Sequence, residues 1–366
     1  AFVTALRIKG ETSEEIAGMA RVMQSKALQV KLNQDLKVVD TCGTGGDGSN
    51  TINISTISAL VVAGAGLKVA KHGNRSITSA CGSADVLELS GVKIDLDPDG
   101  VRKCIEEVGI GFMFAPIFHP AMKYAGPHRR EIGIRTVFNI LGPLTNPAGV
   151  SRQVLGVADE ALGEKMVAVL DILGSQKSLV VNSQDGLDEI SICGDTNVWE
   201  LSDGRISAYK ISPEDLGFGR VSPEAIKVNT IEENLFALNS VLSGEKGPYR
   251  DVVLMNAAAA LLIGEKANSL EDGVGLAAES IDSGCALTTL RDFVKKELVF
   301  FHSQFFVPPV IIYLIYSYLE KTLYFLKYLD SKLEVVPLLP LIVDSKLEVV
   351  PPLPLIVDSK LEVVPP

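Results

Sequence analysis

The chain lacks the cysteine patterns that mark disulfide-rich domains and zinc sites. Its five cysteines are widely separated, and no two of them form a C-x-x-C pair. We therefore expect neither a structural zinc site nor a disulfide framework. Reduced thiols in a cytoplasm are expected instead. Basic residues are not in excess either, since the formal net charge is −11. Nucleic-acid backbones and anionic membrane surfaces attract clustered Lys and Arg, so this balance argues against a partner of either kind.

Apolar residues, in contrast, are abundant enough for a large core. The chain has 366 residues and 47% of them are hydrophobic, which fits one large domain or two smaller ones. The first residue is alanine, and Ala1 to Lys9 resembles the second half of an amphipathic helix, so we expect that upstream sequence is missing. Gly10 is expected to end that helix. Thr12 to Glu15 has the T-x-x-E pattern of a capping box, which predicts the start of another helix.

From Leu36 onward, short β-branched runs alternate with glycine-rich loops and helical stretches. Strands are predicted at residues 37–39, 67–70, 153–157 and 178–181, and helices at 55–63, 161–173 and 251–266. This alternation predicts an α/β fold with a mainly parallel central sheet covered by helices.

The last part of the chain has a different composition. From about Leu298 it becomes aromatic and aliphatic, and then the sequence DSKLEVVP recurs at Asp330, Asp344 and Asp358, a strict fourteen-residue period. Such a repeat resembles translated tandem-repeat DNA more than a solenoid. The Pro308-Pro309 pair interrupts the apolar run and would remove helix hydrogen bonds that lipid cannot replace. A frameshifted or fused gene end is therefore expected here rather than a membrane anchor.

A glycine-rich loop follows the first predicted strand of the α/β region. Its sequence, Gly43 to Gly48, matches G-x-G-x-x-G, the pattern of a dinucleotide-binding fold. That fold also places an acidic residue about 20 positions later, where this chain has Gly66, Leu67 and Lys68. Residues without a Cβ let backbone N–H groups approach an anion at a helix start, which favours diphosphate binding. A tight turn without a ligand is the alternative from the loop alone.

A second polar loop, Lys71 to Ser79, follows the next predicted strand. Lys71 and Arg75 supply positive charge, and Asn74 and three hydroxyl residues supply neutral donors. Both loops follow strand ends at the same predicted sheet edge, where α/β proteins usually bind ligands. We therefore favour a phosphorylated ligand over the alternative, a solvated basic turn.

Four ordered motifs resemble those of the anthranilate phosphoribosyltransferases. They are Asp40 to Asp47 (DTCGTGGD), Lys71 to Ser76 (KHGNRS), Gly82 to Glu88 (GSADVLE) and Gly133 to Pro147 (GIRTVFNILGPLTNP), and the resemblance runs from about residue 1 to residue 297. It implies transfer of the phosphoribosyl group from phosphoribosyl diphosphate to anthranilate with Mg²⁺, a step of tryptophan biosynthesis.

The resemblance also implies the domain organisation. Residues 1–33 would be the remnant of a small helical domain, with residues 116–130 packing on it, and residues 34–297 would form the α/β catalytic domain. Residues 298–366 would be the anomalous tail. The family pairs subunits through the small domain, so a homodimer is expected.

Individual residues gain predicted roles from the resemblance. Phosphoribosyl diphosphate would be held by residues of the two loops and of the helices that follow them: Gly43, Gly46, Asp47, Thr51, Asn53, Ser55, Thr56, Lys71, Ser79 and Ser83. The second loop departs from the family pattern at Thr78, Ala80 and Cys81, which leaves the main donors in place.

Anthranilate and the metal would use other residues. Anthranilate would lie among Gly43, Asn74, His119, Arg129 and Pro147, with Arg129 binding its carboxylate. Ser55, Asp188 and Glu189 would hold Mg²⁺, which prefers hard oxygen ligands. Lys71, His72 and Arg129 are the implied catalytic residues, and no general base is identified.

Two other functions fit parts of the pattern. A pyrimidine nucleoside phosphorylase has a similar fold with related glycine and lysine motifs, but the Gly133 to Pro147 stretch and the Asp188-Glu189 pair argue against it. A non-catalytic relative that binds nucleic acid would use a basic surface, and the acidic balance of the chain argues against that.

Overall fold

The computed structural model describes residues 1–33, 35–76 and 81–304, with only the backbone described at residue 130 and at 297–304. The repetitive tail predicted from the sequence, apart from its first residues, and the predicted ligand Ser79 lie outside these residues. Across the described ranges, no helix combines the length and the apolar character that crossing a membrane requires.

A seven-stranded sheet forms the centre of the fold, with strand order β3-β2-β1-β4-β5-β6-β7. The strands are β1 (Val38–Gly43), β2 (Lys68–Gly73), β3 (Ile110–Phe114), β4 (Arg152–Gly156), β5 (Lys177–Ser183), β6 (Thr196–Ser202) and β7 (Arg205–Ile211). Neighbours from β3 to β5 are parallel, and β6 and β7 pair antiparallel at one edge. The predicted α/β fold with a mainly parallel sheet is confirmed, whereas the β6–β7 hairpin was not predicted.

Helices cover the sheet and form the amino-terminal segment. They are α1 (Phe2–Lys9), α2 (Ser13–Lys26), α3 (Ile54–Gly64), α4 (Ser83–Leu89), α5 (Pro98–Lys103), α6 (Ala115–Phe118), α7 (Met122–Ile132), α8 (Gly163–Leu173), α9 (Ile231–Leu242), α10 (Pro248–Ile263), α11 (Leu270–Asp282) and α12 (Cys285–Gln304).

The ends of α1 and α2 form as their sequence predicts. Gly10 has φ 85° and donates its N–H to the Leu6 carbonyl, which ends α1. At the start of α2, the Thr12 hydroxyl accepts the Glu15 N–H at 3.3 Å, and the Glu15 carboxylate accepts the Thr12 N–H at 3.0 Å. This reciprocal pair is the predicted capping box. It directs the buried face of α2, which includes Ile16 and Ala20, onto α8.

Helix α3 positions the candidate site. Nearly all of its side chains are buried, because it lies between the sheet and helices α10 and α12. A helix that is apolar on every face is stable only in such an interior position. Its amino terminus at Ile54 is thereby fixed beside the carboxyl end of β1, where the glycine loop begins.

Glu265 joins the amino-terminal ends of three parallel strands at the opposite edge of the sheet. Its carboxylate lies 2.6 Å from Lys37 Nζ, 3.0 Å from Lys177 Nζ and 3.3 Å from Arg152 Nη2. Lys37 precedes β1, Arg152 begins β4 and Lys177 begins β5. The hydrogen bonds from the two lysines hold the pKa of Glu265 down at about 2. One carboxylate thus ties β1, β4 and β5 together.

We expect Glu265→Gln to lower the thermal midpoint by about 2–4 °C, which corresponds to roughly 1 kcal/mol once solvent screening of the half-exposed network is allowed for. A carboxyl with a depressed folded-state pKa stabilises the fold above its ordinary value of 4.5, and this contribution is lost as pH falls through about 2. The difference between wild type and variant should therefore shrink over that window. The difference in thermal midpoint is measured by thermal unfolding, with the fluorescence of the single tryptophan, Trp199, as the signal. Glu224→Gln, which removes one exposed ion pair with Lys227, is the control, and equal losses in both variants would contradict the network's role.

Candidate functional site

The carboxyl ends of β1 and β2 open onto a cavity of about 390 Å³. Its wall brings the glycine loop and the start of α3 together with the second polar loop and with the acid pair, which is more than 100 residues later in the chain. The predicted residues that line it are Gly43, Gly46, Asp47, Thr51, Asn53, Ser55, Lys71, His72, Asn74, Ser83, Asp188 and Glu189. Thr56, His119, Arg129 and Pro147 are not part of the lining. The roles of all these residues stay predictions.

The glycine loop curls through left-handed backbone conformations. Gly45, Gly46 and Gly48 have φ values of 66°, 77° and 71°, which residues with a Cβ rarely adopt. Arg135 fastens the loop, because its two terminal nitrogens donate to the Gly46 and Gly45 carbonyls, each at 2.9 Å. With these carbonyls bound to Arg135, the loop is held in one curled conformation at the cavity. Arg135 belongs to the GIRT motif, but nothing in its sequence neighbourhood indicates this contact.

The acid pair connects the glycine loop with the start of α3. Asp188 Oδ2 accepts the Gly45 N–H at 2.7 Å, and Glu189 Oε1 accepts the Ser55 N–H at 3.1 Å. Asp188 is buried and Glu189 is half-buried. Within the described residues, neither carboxylate forms an ion pair with Lys or Arg. The sequence alone allowed these acids to be solvated surface residues, and the structure instead places them in the cavity wall.

Burial and mutual repulsion perturb both carboxyl groups. Burial, with the nearby charge of Asp47, raises the pKa of Asp188 to about 6. Burial, with the charge of Asp188, raises the pKa of Glu189 to about 8. The nearby charges of Arg135 and Lys71 offset only part of this cost, so the site favours a cation that neutralises both carboxylates.

Two glycines leave room for Asp188. A Cβ on Gly43 would overlap with the Asp188 carboxylate, and a Cβ on Gly156 would overlap with the Asp188 backbone carbonyl. Close approach of the chain, rather than turn geometry, therefore requires glycine at these two positions.

We expect Gly156→Ala to lower turnover of the predicted reaction by about tenfold or more, because the added Cβ must displace the acid pair from the cavity. Because the overlap is with backbone, stability should fall as well, by about 3 kcal/mol or more, and turnover is therefore compared per folded molecule. Steady-state rates and thermal midpoints would measure both effects. Gly219→Ala is the matched control, since no atom lies within 4 Å of its added Cβ. Wild-type turnover in a folded Gly156→Ala protein would contradict the proposed close approach.

Lys71 is a fully buried cation at the end of β2, with 2% of its surface exposed. Its Nζ donates to the Thr41 carbonyl at 2.6 Å and to the Ser55 hydroxyl at 3.2 Å. Burial lowers the pKa of Lys71, while the charges of Asp40 and Glu189 oppose this shift. Lys71 thus places a positive charge beside the predicted metal and diphosphate residues.

A buried polar network beneath Lys71 was not predicted. Asp40 is fully buried and accepts hydrogen bonds from Asn146 Nδ2 at 2.9 Å, from Gln153 Nε2 at 3.1 Å and from the His72 N–H at 3.4 Å. Burial raises the pKa of Asp40, and the charge of Lys71 opposes it. The network connects the strand before the glycine loop to the LTNP segment.

His72, which lines the cavity, packs against His119 in a tilted arrangement with ring centroids 4.9 Å apart. Both are buried, and in both the Nε2 atom has no hydrogen-bond partner within the described part of the chain. Burial, with the neighbouring His119, lowers the pKa of His72 to about 3, and burial also lowers that of His119. Both shifts favour the neutral form of the rings.

Arg129 lies in α7, outside the lining of the cavity. Its guanidinium stacks on the Phe138 ring at 5.3 Å from the centroid, and the neighbouring residue Asn139 lines the cavity. Burial lowers the pKa of Arg129. Within the described residues its guanidinium forms no hydrogen bond or ion pair, so its charge is available to an anion.

Arg75 corrects one expectation from the sequence. Although it reaches the cavity, its guanidinium lies 2.8 Å from the Asp85 carboxylate and 2.7 Å from that of Glu88. These two acids neutralise the positive charge that the sequence suggested for a ligand. The unpaired positive charge of the second loop therefore comes from Lys71.

Comparison with known proteins shows the family. A model described as "Glycosyl transferase family, a/b domain" matches residues 35–287, and one described as "Glycosyl transferase family, helical bundle domain" matches residues 1–27. The anthranilate phosphoribosyltransferase of Dehalococcoides mccartyi is 54% identical over 297 residues, which cover 81% of this chain and 86% of that protein. That of Symbiobacterium thermophilum is 56% identical over 299 residues, covering 81% and 87%.

Solved structures that resemble this chain belong to the same family as the sequence relatives. The anthranilate phosphoribosyltransferase of Thermus thermophilus superposes with a TM-score of 0.77 at 43% identity, covering 81% of this chain and 88% of that one. The enzyme of Saccharomyces cerevisiae in complex with PRPP and Mg has a TM-score of 0.76 at 32% identity, covering 81% and 84%.

Proposed function

We infer that this chain, which belongs to the anthranilate phosphoribosyltransferase family of glycosyl transferases, transfers the phosphoribosyl group from phosphoribosyl diphosphate to anthranilate and releases diphosphate. One observation carries the inference: the acid pair, the glycine loop and the start of α3 meet at a single cavity. A carboxylate pair with a cation and a curled N–H-rich loop can hold a diphosphate there.

The reaction breaks the bond between ribose C1 and diphosphate, so negative charge grows on the leaving group. The curled glycine loop and the amino terminus of α3 face that charge with backbone dipoles. Lys71 adds a formal charge. An ammonium group has three N–H donors, and the bonds to Thr41 and Ser55 leave the third for a phosphate oxygen. These groups are already ordered, so little reorganisation opposes the transition state.

Mg²⁺ fits the donor chemistry of the acid pair. Asp188, Glu189 and the Ser55 hydroxyl offer hard oxygen atoms, and the raised pKa of each carboxyl reflects charge that a cation would neutralise. Among the described residues, no group of three His, Cys, Asp or Glu side chains converges on one point. We therefore propose that the diphosphate itself completes the coordination. When bound, Mg²⁺ supplies Lewis-acid neutralisation of the diphosphate charge.

Arg129 is proposed to bind the anthranilate carboxylate. Its unpaired, half-buried guanidinium offers a planar set of donors that matches a carboxylate. Asn74 follows β2, lines the cavity together with His72 and can donate to the substrate. Arg129 and Asn74 would orient the aromatic amine toward ribose C1, which is a positioning contribution to catalysis.

His72, which lines the cavity, is proposed to lie beside the amine, with His119 packed behind it. A neutral ring with a bare Nε2 is an acceptor, and both buried rings lack a partner for that atom in the described residues. The pKa of His72, lowered to about 3, makes this ring too weak a base to hold a full proton at neutral pH. His72 therefore contributes to the shape of the amine pocket, and no strong general base is assigned.

We also propose a cytoplasmic homodimer. Phe2 and Ile8 in α1 are 70% and 82% exposed, and Val22 in α2 is 61% exposed, which is a large apolar surface for a small helical segment. Cys42, Cys193 and Cys285 are free thiols, in keeping with a reducing compartment. Light scattering after size-exclusion chromatography measures the oligomeric state, and a monomer at micromolar concentration would contradict the proposal.

Loss of anthranilate fluorescence on incubation with phosphoribosyl diphosphate tests the activity. We expect turnover with MgCl₂ and none with EDTA in its place. Thymidine with inorganic phosphate serves as the alternative substrate pair. Phosphorolysis of thymidine without consumption of anthranilate would overturn the proposed function.

A further inference from the structure

Helix α10 supplies an asparagine to the segment that carries the acid pair. Asn256 is 2% exposed. Its Oδ1 accepts the Ile190 N–H at 2.9 Å, and its Nδ2 donates to the Ile190 carbonyl at 2.8 Å. The other N–H of the amide donates to the Val252 carbonyl of the same helix at 2.9 Å. The amide thus pairs with both backbone groups of Ile190, much as a neighbouring strand would.

Ile190 directly follows Glu189, in the loop between β5 and β6. Loop residues lack the regular partners of a sheet, and a buried backbone group without a partner is unstable. Ile190 is fully buried, so the amide of Asn256 takes the place of water for its N–H and its carbonyl. The bond to Val252 fixes the rotamer of Asn256 from within α10. A rigid core helix therefore determines where the backbone after Glu189 lies.

The acid pair needs such an anchor. Asp188 and Glu189 are adjacent and carry like charge, and their carboxylates accept N–H groups from two different segments, from Gly45 in the glycine loop and from Ser55 at the start of α3. These single bonds orient the side-chain ends. They do not fix the backbone from which both side chains project.

We propose that Asn256 is a positioning residue, which holds the Ile190 backbone so that Asp188 and Glu189 keep the geometry in which they bind Mg²⁺ together with diphosphate. This inference rests on the proposed function. Asn256 is not among the residues that line the cavity, so it acts through the acid pair and not on substrate. Partners that orient metal-binding side chains typically contribute ten- to a hundredfold, roughly, to metal affinity or activity.

Asn256→Ala removes the clamp, and Asn256→Ser removes it more mildly. A helical serine can still bond to the carbonyl four residues earlier, here that of Val252, so only the bonds to Ile190 are lost. The Mg²⁺ concentration at half-saturation is measured in two ways. One is turnover at saturating substrates, and the other is the rise in thermal midpoint when MgCl₂ is titrated into protein that contains phosphoribosyl diphosphate. We expect about a tenfold increase or more in both assays for both variants, with the KM for anthranilate unchanged.

Arg250→Lys is the matched control. Arg250 lies in the same helix, is also 2% exposed and pairs with Asp282 at 2.7 Å, and neither residue lines the cavity. It should lower the thermal midpoint without changing the Mg²⁺ half-saturation. If the Asn256 variants behave in the same way, the inference is overturned, and Asn256→Ser decides alone if Asn256→Ala does not fold. If Mg²⁺ changed neither the turnover nor the thermal midpoint of the wild-type protein, the proposed function would be overturned, and this inference with it.

Discussion

Glu189→Gln is expected to reduce Mg²⁺-dependent turnover by roughly a hundredfold or more and, at the same time, to make the ligand-free protein more stable. The loss of activity follows because glutamine keeps the shape of the side chain but removes the anionic oxygen from the predicted metal site. The gain in stability follows because burial and the charge of Asp188 disfavour ionised Glu189 by more than the nearby charge of Lys71 offsets. Activity and stability should therefore move in opposite directions.

The raised pKa of Glu189 also determines how the stability difference between wild type and Glu189→Gln changes with pH. A carboxyl whose pKa is higher in the folded chain holds its proton more tightly when folded. For Glu189, with an ordinary value of 4.5 and a folded value of about 8, the ligand-free fold loses stability as pH rises from about 4.5 through about 8. Glutamine does not titrate, so the stability advantage of Glu189→Gln should grow across that window.

Thermal unfolding of ligand-free protein between pH 5 and pH 8 measures the effect, at roughly 2–4 °C for each kcal/mol gained. Asp188→Asn should behave similarly, but over a lower window, because the pKa of Asp188 is raised only to about 6. Addition of MgCl₂ with phosphoribosyl diphosphate should stabilise wild type more than either variant. A Glu189→Gln protein that loses activity together with stability would show that the carboxylate supports the fold instead of the metal.

Much of the fold could be predicted because its signals are local. The capping box at Thr12, the glycine that ends α1 and the alternation of β-branched runs with helices each depend on neighbouring residues. The β6–β7 hairpin was missed because Thr196 to Ile211 contains no long apolar run that distinguishes it from a loop. Strand β7 is exposed at a sheet edge, so its fold does not require buried apolar residues at regular positions.

The candidate site was predictable only in part, for a related reason. The glycine loop follows β1 and Lys71 lies near the carboxyl end of β2, so sheet topology alone brings them to one edge. Asp188 was ambiguous in sequence, because its environment comes from Gly43 and Gly156, which lie far before it in the chain. Asn256 and Arg135 act through backbone groups of distant segments, and a side chain that bonds to a remote backbone leaves no pattern in its own neighbourhood.

Arg129→Ala is expected to raise the KM for anthranilate by roughly ten- to a hundredfold, the range that a lost hydrogen-bonded charge pair of about 1.5–3 kcal/mol gives. The KM for phosphoribosyl diphosphate should change little, because Arg129 does not line the cavity that holds the glycine loop and the acid pair. Loss of a contact made equally in the ground state and the transition state raises KM and leaves kcat nearly unchanged.

Because Arg129 has no ion-pair partner in the described residues, a role in substrate binding can be distinguished from a role in stabilising the fold. Its guanidinium contacts Phe138 but no acid in the described residues, and burial lowers its pKa, so its removal should not destabilise the ligand-free protein. Lys123→Ala is the control, because Lys123 is an exposed cation of the same helix and its loss changes net charge equally. Initial rates over a matrix of both substrate concentrations separate the two KM values. A rise in the KM for phosphoribosyl diphosphate, with that for anthranilate unchanged, would place Arg129 in the diphosphate pocket and reverse the assignment of the two substrates.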